Sequence, residues 1–434
     1  MSGSNGHSNG NLNGNGRVRV VLTGRVVISP VGNDVETFWD NLVNGRSGIE
    51  RVTLFDPSPF PTHIAGEVKD WDPTPWIDRK EARRMSRCSQ FAIAAASQAM
   101  EDAGLSSTDV NEDDEVGILL GTGAGGFDFS IAGMVGTRSD RGWKSISPFT
   151  LPGALHNMPG YHIAQTFGIH GYLGTHTSAC ATGTQAIFEA VELIRRGWAH
   201  TVVTGATEAA ITDVSFGGYS SMRGMSTRND DPHAAIRPFD RDRDGFLMGE
   251  GAAIFIIESL EHAQARGATI YAEVMGGAST SDAYHMAQPD PEGRGAVRAM
   301  QLAAKYSGVS LDQINYINPH GPGTPIGDAV EVKAMKEAFG EHIYDVPISS
   351  TKPMFGHAMG AAGALEGLAT LLTLETQTIH PTLNCDNPDP EFDLDFVQGE
   401  ARQAEVNYAM SYNVGLGGQN AALILRRWTE NGNG

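Results

Sequence analysis

Residues 175–188 read Thr-His-Thr-Ser-Ala-Cys-Ala-Thr-Gly-Thr-Gln-Ala-Ile-Phe, placing a single cysteine, Cys180, among small side chains. A β-like run precedes it. Beyond it, apolar residues recur at Ile187, Ala190, Val191 and Ile194, which is one face of a helix. Cys180 therefore falls at or just before a helix start, where exposed N–H groups and the helix dipole stabilise a thiolate. Ser178, Ala179, Ala181 and Gly183 permit a sharp strand-to-helix turn and close approach of a substrate. This is the logic of a nucleophile elbow, with sulfur in place of oxygen. A buried, inert cysteine fits the same stretch, because free cysteines are common in cores. The stretch alone leaves both readings open.

On either side of the cysteine, short β-branched runs alternate with longer helical patterns. Strands are expected at 17–24, 115–120, 201–204, 251–257, 314–319 and 408–412. Helices are expected at 35–42, 89–103, 330–339 and 361–375. Strands interleaved with helices predict an α/β fold with largely parallel sheets. No short-period repeat appears, and no Pro/Ser-rich linker divides the middle.

The 434 residues are enough for a large buried core in two or three domains or two fused halves. With 40% hydrophobic and 19% charged residues, the composition is that of a compact folded chain. Residues 1–16 are mostly Gly, Asn and Ser, lack the apolar core of a secretory signal and read as a flexible tail. Residues 428–434 read the same way. No apolar run is long enough to span a membrane. A net charge of −20 repels nucleic acid and anionic membranes. Three widely spaced cysteines, Cys88, Cys180 and Cys385, argue against a disulfide framework and for a reducing, cytoplasmic compartment. No CxxC or clustered Cys/His spacing predicts a metal site.

Residues 121–126, Gly-Thr-Gly-Ala-Gly-Gly, match GxGxxG after a strand. A dinucleotide site also needs an acidic residue ending a second strand about 20 residues on. Asp140 has the spacing but no strand before it, so close backbone packing beside a pocket is the better account. Two histidines change the balance for Cys180. His320 follows a strand-like run in Asn-Pro-His-Gly-Pro-Gly-Thr (318–324), and His357 lies with Lys352 in a Gly/Ala-rich turn that opens a helix. Residues 413–420, Asn-Val-Gly-Leu-Gly-Gly-Gln-Asn, form a further tight turn that can offer an N–H to an oxyanion.

These ordered motifs, with Arg-Pro-Phe-Asp-Arg-Asp-Arg-Asp-Gly-Phe (237–246), Gly-Glu-Gly (249–251) and Ser-Asp-Ala-Tyr-His (281–285), carry a resemblance over residues 17–427. The chain resembles the elongating, type II β-ketoacyl-acyl carrier protein synthases of fatty acid and polyketide synthesis. The resemblance implies a thiolase-like fold, two similar halves forming a five-layer αβαβα sandwich. The halves would be residues 17–260, with the nucleophile, and 261–427, with the His/Lys/His motifs. It implies an acyltransferase that condenses an acyl chain held on Cys180 with malonyl on acyl carrier protein. His320 and His357 match the decarboxylating pair, Lys352 the active-site lysine and Glu366 a supporting buried acid. The backbone N–H groups of Cys180 and Val414 match the oxyanion hole. No cofactor or metal is implied, since phosphopantetheine arrives on the carrier. The family is dimeric, as a homodimer or as a heterodimer with a chain-length-factor-like subunit.

Departures from the pattern bear on specificity. Pro322 stands where the family carries Thr, while Thr324 is kept. Val414 stands at a position commonly Phe, and Ala124 and Thr150 replace larger residues. These predict a wider acyl pocket, suited to a polyketide or polyene chain. Docking of the acidic carrier is expected on Lys80, Arg83, Arg84 and Arg223, with Arg79, Arg87 and Arg228 nearby. Two other readings exist. A pocket-shaping partner subunit would lack the nucleophile, which this chain has. A thiolase or starter-type synthase would pair its cysteine with a second Cys or with His and Asn.

Overall fold

The structure, a computed structural model, describes residue 12, residues 16–111 and residues 113–429. The two terminal tails expected to be flexible lie mostly outside these residues. Trp428, assigned to the second tail, is an exception. Its ring lies under the Arg19 guanidinium and packs beside Val21 and Leu260.

Nine strands form one large sheet: β1 (Val20–Ile28), β2 (Val116–Gly121), β3 (Leu173–His176), β4 (Thr201–Glu208), β5 (Gly251–Ser259), β6 (Ala272–Ser281), β7 (Tyr316–Asn318), β8 (Tyr408–Gly415) and β9 (Gln419–Arg427). The longer helices include α1 (Val35–Val43), α2 (Arg87–Asp102), α3 (Phe127–Thr137), α4 (Thr182–Arg195), α5 (Arg294–Ser307), α6 (Pro325–Phe339) and α7 (Ala362–Thr376).

The strand order is β3-β2-β4-β5-β1-β6-β9-β8-β7. The first five strands belong to the N-terminal half and the last four to the C-terminal half. They join where Val21 and Leu22 of β1 pair with Glu273 and Ala272 of β6. Helix α2 covers the outer face of the first group, and α5 with α6 covers that of the second. Between them lie α4 and α7, each touching strands of both groups. This is the expected five-layer sandwich. Every residue of α7 from Ala362 to Leu374 is buried, as a helix between two sheets requires.

The expectation of largely parallel sheets does not hold. Only β2–β3, β2–β4 and β7–β8 pair in parallel. The other neighbouring pairs are antiparallel. Strands β8 and β9 join through a tight turn, which needs no crossover helix. Strand β1 also runs on to Ile28, beyond the expected end at Gly24. That glycine marks a close approach, since a Cβ there would lie 2.4 Å from the Ala99 carbonyl oxygen of α2. Among the described residues, no helix is long and apolar enough to cross a membrane.

Candidate active site

Cys180 lies two residues ahead of α4, as its sequence context predicts. The turn is strained: Ala179 adopts φ +50°, a region L-residues rarely occupy. Thr182 holds the elbow, accepting from the Ser178 N–H at 2.8 Å and donating to the Ala179 carbonyl at 2.6 Å. Gly415, at the end of β8, passes so close that a Cβ would lie 3.0 Å from the Cys180 nitrogen. Cys180 is 7% exposed, and burial pushes its thiol up to about 11, although the Leu416 N–H and the Lys352 charge pull the other way. Burial thus opposes the thiolate stabilisation expected of the helix start.

The two histidines meet at the same place, their ring centroids 5.2 Å apart at 80°. Behind them lies a buried polar chain. The Lys352 ammonium donates to the His320 carbonyl and, at 2.5 Å, to Glu366 Oε1. Glu366 Oε2 accepts from Asn413 Nδ2 at 2.6 Å, and the same amide nitrogen lies 3.3 Å from His320 Nδ1. Thr184 donates its hydroxyl to Asn413 Oδ1 at 2.5 Å, which fixes the amide orientation. His320 Nδ1 thus accepts, and the ring hydrogen sits on Nε2. Burial first, then the Lys352 charge, hold both imidazoles well below their usual range, so both are neutral. Burial raises the Glu366 carboxyl, with Lys352 and Asn413 opposing it.

A cavity of about 500 Å³ opens onto this cluster, lined by Cys180, His320, His357, Phe246, Thr324 and Leu416 among others. Thr324 is also the N-cap of α6, its Oγ1 accepting the Gly327 N–H at 3.2 Å. Pro322, which stands where the resemblance places a hydroxyl, lines the cavity. Val414 lines it too. Val414 lies inside β8 in register with Asn420, and its side chain packs against the core containing Met410 and Tyr412. The N–H aimed at the Cys180 sulfur belongs to Leu416, two residues on, in a turn where Gly417 and Gly418 both have positive φ. Ala124 and Thr150 do not line this cavity. Ala124 packs in the cluster around Cys180, and Thr150 starts a short helix against Gly133 of α3. Residues 121–126 serve tight packing: a Cβ on Gly126 would lie 1.7 Å from the Gly153 carbonyl oxygen.

The basic residues divide. Lys80 and Arg83 are exposed beside a short helix, and Arg223 is exposed at the cavity mouth with φ +54°. Arg84 pairs with Glu81 at 2.7 Å and stacks over Phe149. Arg87 does not belong to a docking patch, because it forms an ion pair with the buried Glu250 at 2.7 Å. Arg228 stays partly exposed, donating to the Asp242 carbonyl at 2.6 Å and lying 3.4 Å from Asp244.

Residues 17–263 match the N-terminal domain of the β-ketoacyl synthase family, and residues 271–386 match its C-terminal domain. The chain belongs to the β-ketoacyl synthase family. Its members are condensing enzymes of the acyltransferase class, acting in fatty acid or polyketide elongation. The synthase is 45% identical over 414 residues to a 3-oxoacyl-[acyl-carrier-protein] synthase 2 of Staphylococcus aureus, covering 95% of this chain and 99% of the relative. It superposes on the ishigamide ketosynthase/chain length factor with a TM-score of 0.89 at 34% identity, over 95% of this chain and all of that one. A second structure is a type II polyketide acyl-carrier protein in complex with its ketosynthase. It gives a TM-score of 0.87 at 32% identity over the same shares.

Sequence reasoning missed three residues that shape the synthase's site. Asn413 sets the His320 tautomer, and only its place beside the glycine turn hinted at this. Glu331 accepts the N–H groups of His320 and Gly321 at 2.6 and 2.7 Å, and burial pushes its carboxyl up to about 8. Glu208 binds backbone on both sides of the cluster. A lone acid on a buried helix or strand carries no local motif, so neither glutamate stood out.

Proposed function

We propose that this synthase carries a growing acyl chain on Cys180 and extends it with malonyl held on acyl carrier protein. The observation that carries the reading is the meeting of Cys180, neutral His320 and neutral His357 on one cavity, with the Lys352–Glu366–Asn413 chain behind. Cys180 sulfur attacks the carrier-bound thioester, its proton passing to the departing pantetheine thiolate. The malonyl thioester then loses carbon dioxide, leaving an enolate whose oxygen accepts from the Nε2–H groups of His320 and His357. The enolate carbon attacks the Cys180 acyl carbonyl. The Cys180 and Val414 N–H groups hold the resulting oxyanion, which collapses to expel the Cys180 sulfur. No metal or bound cofactor takes part in any step, because phosphopantetheine comes with the carrier. The decisive experiment supplies acyl-carrier and malonyl-carrier and maps the acyl group by mass spectrometry. An acyl adduct on Cys180 and β-ketoacyl-carrier as product are expected. An adduct elsewhere would overturn the reading.

Carrier docking is assigned to Arg223 at the mouth, with Lys80 and Arg83 as further positive charge. Arg223→Glu is expected to raise the KM for carrier-linked substrate about tenfold and to flatten its salt dependence. Unchanged KM across a salt series would remove Arg223 from the docking surface. A second subunit of the same fold, a copy or a chain-length-factor-like partner, is assigned to the open edge at β3, where Leu173 is 44% exposed. Three isolated buried thiols support a reducing, cytoplasmic setting.

Acyl preference is assigned to the Leu416 turn together with Pro322. Leu416 is 38% exposed, lines the cavity and sits on a glycine-flanked turn able to swing. Leu416→Phe is expected to lower kcat/KM for a long polyenoyl chain about tenfold more than for a short saturated one. Equal losses would show that the turn does not select the chain.

A further inference from the structure

Glu208, the last residue of β4, is fully buried, and the proposed chemistry leaves it without a role. Its Oε2 accepts the N–H groups of Gly123 and Gly360, each at 2.9 Å. Its Oε1 accepts the Ala124 N–H at 3.1 Å and the Thr122 hydroxyl at 3.4 Å. All four partners are donors, an arrangement that favours the anion, whereas burial raises the carboxyl to about 7. A structural bond between two loops does not need a buried acid, which is costly to desolvate.

What the carboxylate joins is informative. Gly123 and Ala124 follow β2, while Gly360 lies three residues after His357. The backbones touch: a Cβ on Gly360 would lie 2.2 Å from the Gly123 nitrogen. On its upstream side His357 is anchored twice, its N–H donating to Leu247 at 2.7 Å and its carbonyl accepting from Gly249 at 2.8 Å. Downstream, the chain turns through Met359 at φ +43°, and Glu208 holds the next N–H. Met359 itself lines the cavity.

We propose that Glu208 is a positioning residue for His357, its carboxylate tying the turn after His357 to the loop at Gly123 and Ala124. The proposal rests on the reading of His357 as a decarboxylation residue. It makes an unusual prediction. The Glu208 charge raises the Cys180 thiol, so its removal favours the thiolate even as it loosens the histidine. The two activities should move apart.

The test uses the full chain. Carbon dioxide release from malonyl-carrier is measured for Glu208→Gln and for His357→Ala, and iodoacetamide alkylation of Cys180 is timed in parallel. An amide turns its NH2 toward N–H donors and cannot satisfy both loops. Glu208→Gln is expected to release carbon dioxide about tenfold more slowly, while Cys180 alkylates as fast as in the parent or faster. Gly123→Ala, whose Cβ would lie 2.6 Å from Glu208 Oε2, is expected to give the same split by wedging the contact. Carbon dioxide release within twofold of the parent overturns the proposal. So does a parallel fall in alkylation, which marks general damage. If His357→Ala keeps its decarboxylation, the reading of His357 fails and this inference with it. If His357→Ala loses decarboxylation and Glu208→Gln does not, only this inference fails.

Discussion

Cys180→Ala is expected to abolish condensation, with activity falling at least a thousandfold, because no other thiol is placed to take the acyl chain. Cys88 and Cys385 are both buried, and burial pushes each thiol up to about 12. Cys180 sits lower, at about 11, and alone lines the cavity. Iodoacetamide should therefore modify Cys180 first. Below its pKa the thiolate fraction rises tenfold for each pH unit, so the alkylation rate should climb steadily from pH 7 to pH 9 without a plateau. A plateau below pH 8 would mean that the helix start and the Leu416 N–H outweigh burial. Cys180→Gln separates the half-reactions. It fills the acylated site while leaving His320 and His357 in place, so carbon dioxide release from malonyl-carrier should persist without condensation. If Cys180→Ala still condenses, or if Cys88 or Cys385 labels first, the nucleophile is misassigned.

How far the sequence reaches is clearest at particular residues. The elbow at Cys180 was legible because small residues and a 3.6-residue period lie within one short window. His320, Lys352 and His357 were legible because each sits beside glycine at an element end, a local signature. Strand β8 runs further than its apolar pattern suggested, so the turn starts only after Gly415. Strand directions were misjudged for a similar reason: alternation of strands and helices does not reveal which connections cross over. Arg87 looked like one of a basic run until the fold brought Glu250 against it from 163 residues away. Asn413, Glu331 and Glu208 act through contacts across the sandwich, and no short window contains such pairs.

Lys352→Met is the other change expected to have a large effect, on both stability and chemistry. Lys352 and Glu366 are both fully buried, and each is the other's charge partner. Removing the ammonium leaves Glu366 with Asn413 as its one remaining side-chain donor, a loss of about 3–5 kcal/mol for a broken buried pair. The effect should depend on pH in a defined direction. Without Lys352, burial raises the folded-state pKa of Glu366 further above its unfolded value. The folded variant then binds more protons than the unfolded one, so its stability falls as pH rises. The Tm deficit against the parent should be small near pH 5 and grow toward pH 8. Lys352→Met/Glu366→Gln removes the uncompensated charge and should recover most of the Tm. It should not recover the chemistry. Lys352 also holds the His320 carbonyl, and Glu366 steadies Asn413, which orients the His320 ring. Carbon dioxide release should fall about a hundredfold in both variants. A single variant whose Tm stays within a degree of the parent at pH 8 would show that the pair does not support the fold, and a double variant that regains decarboxylation would show that it does not position the histidine.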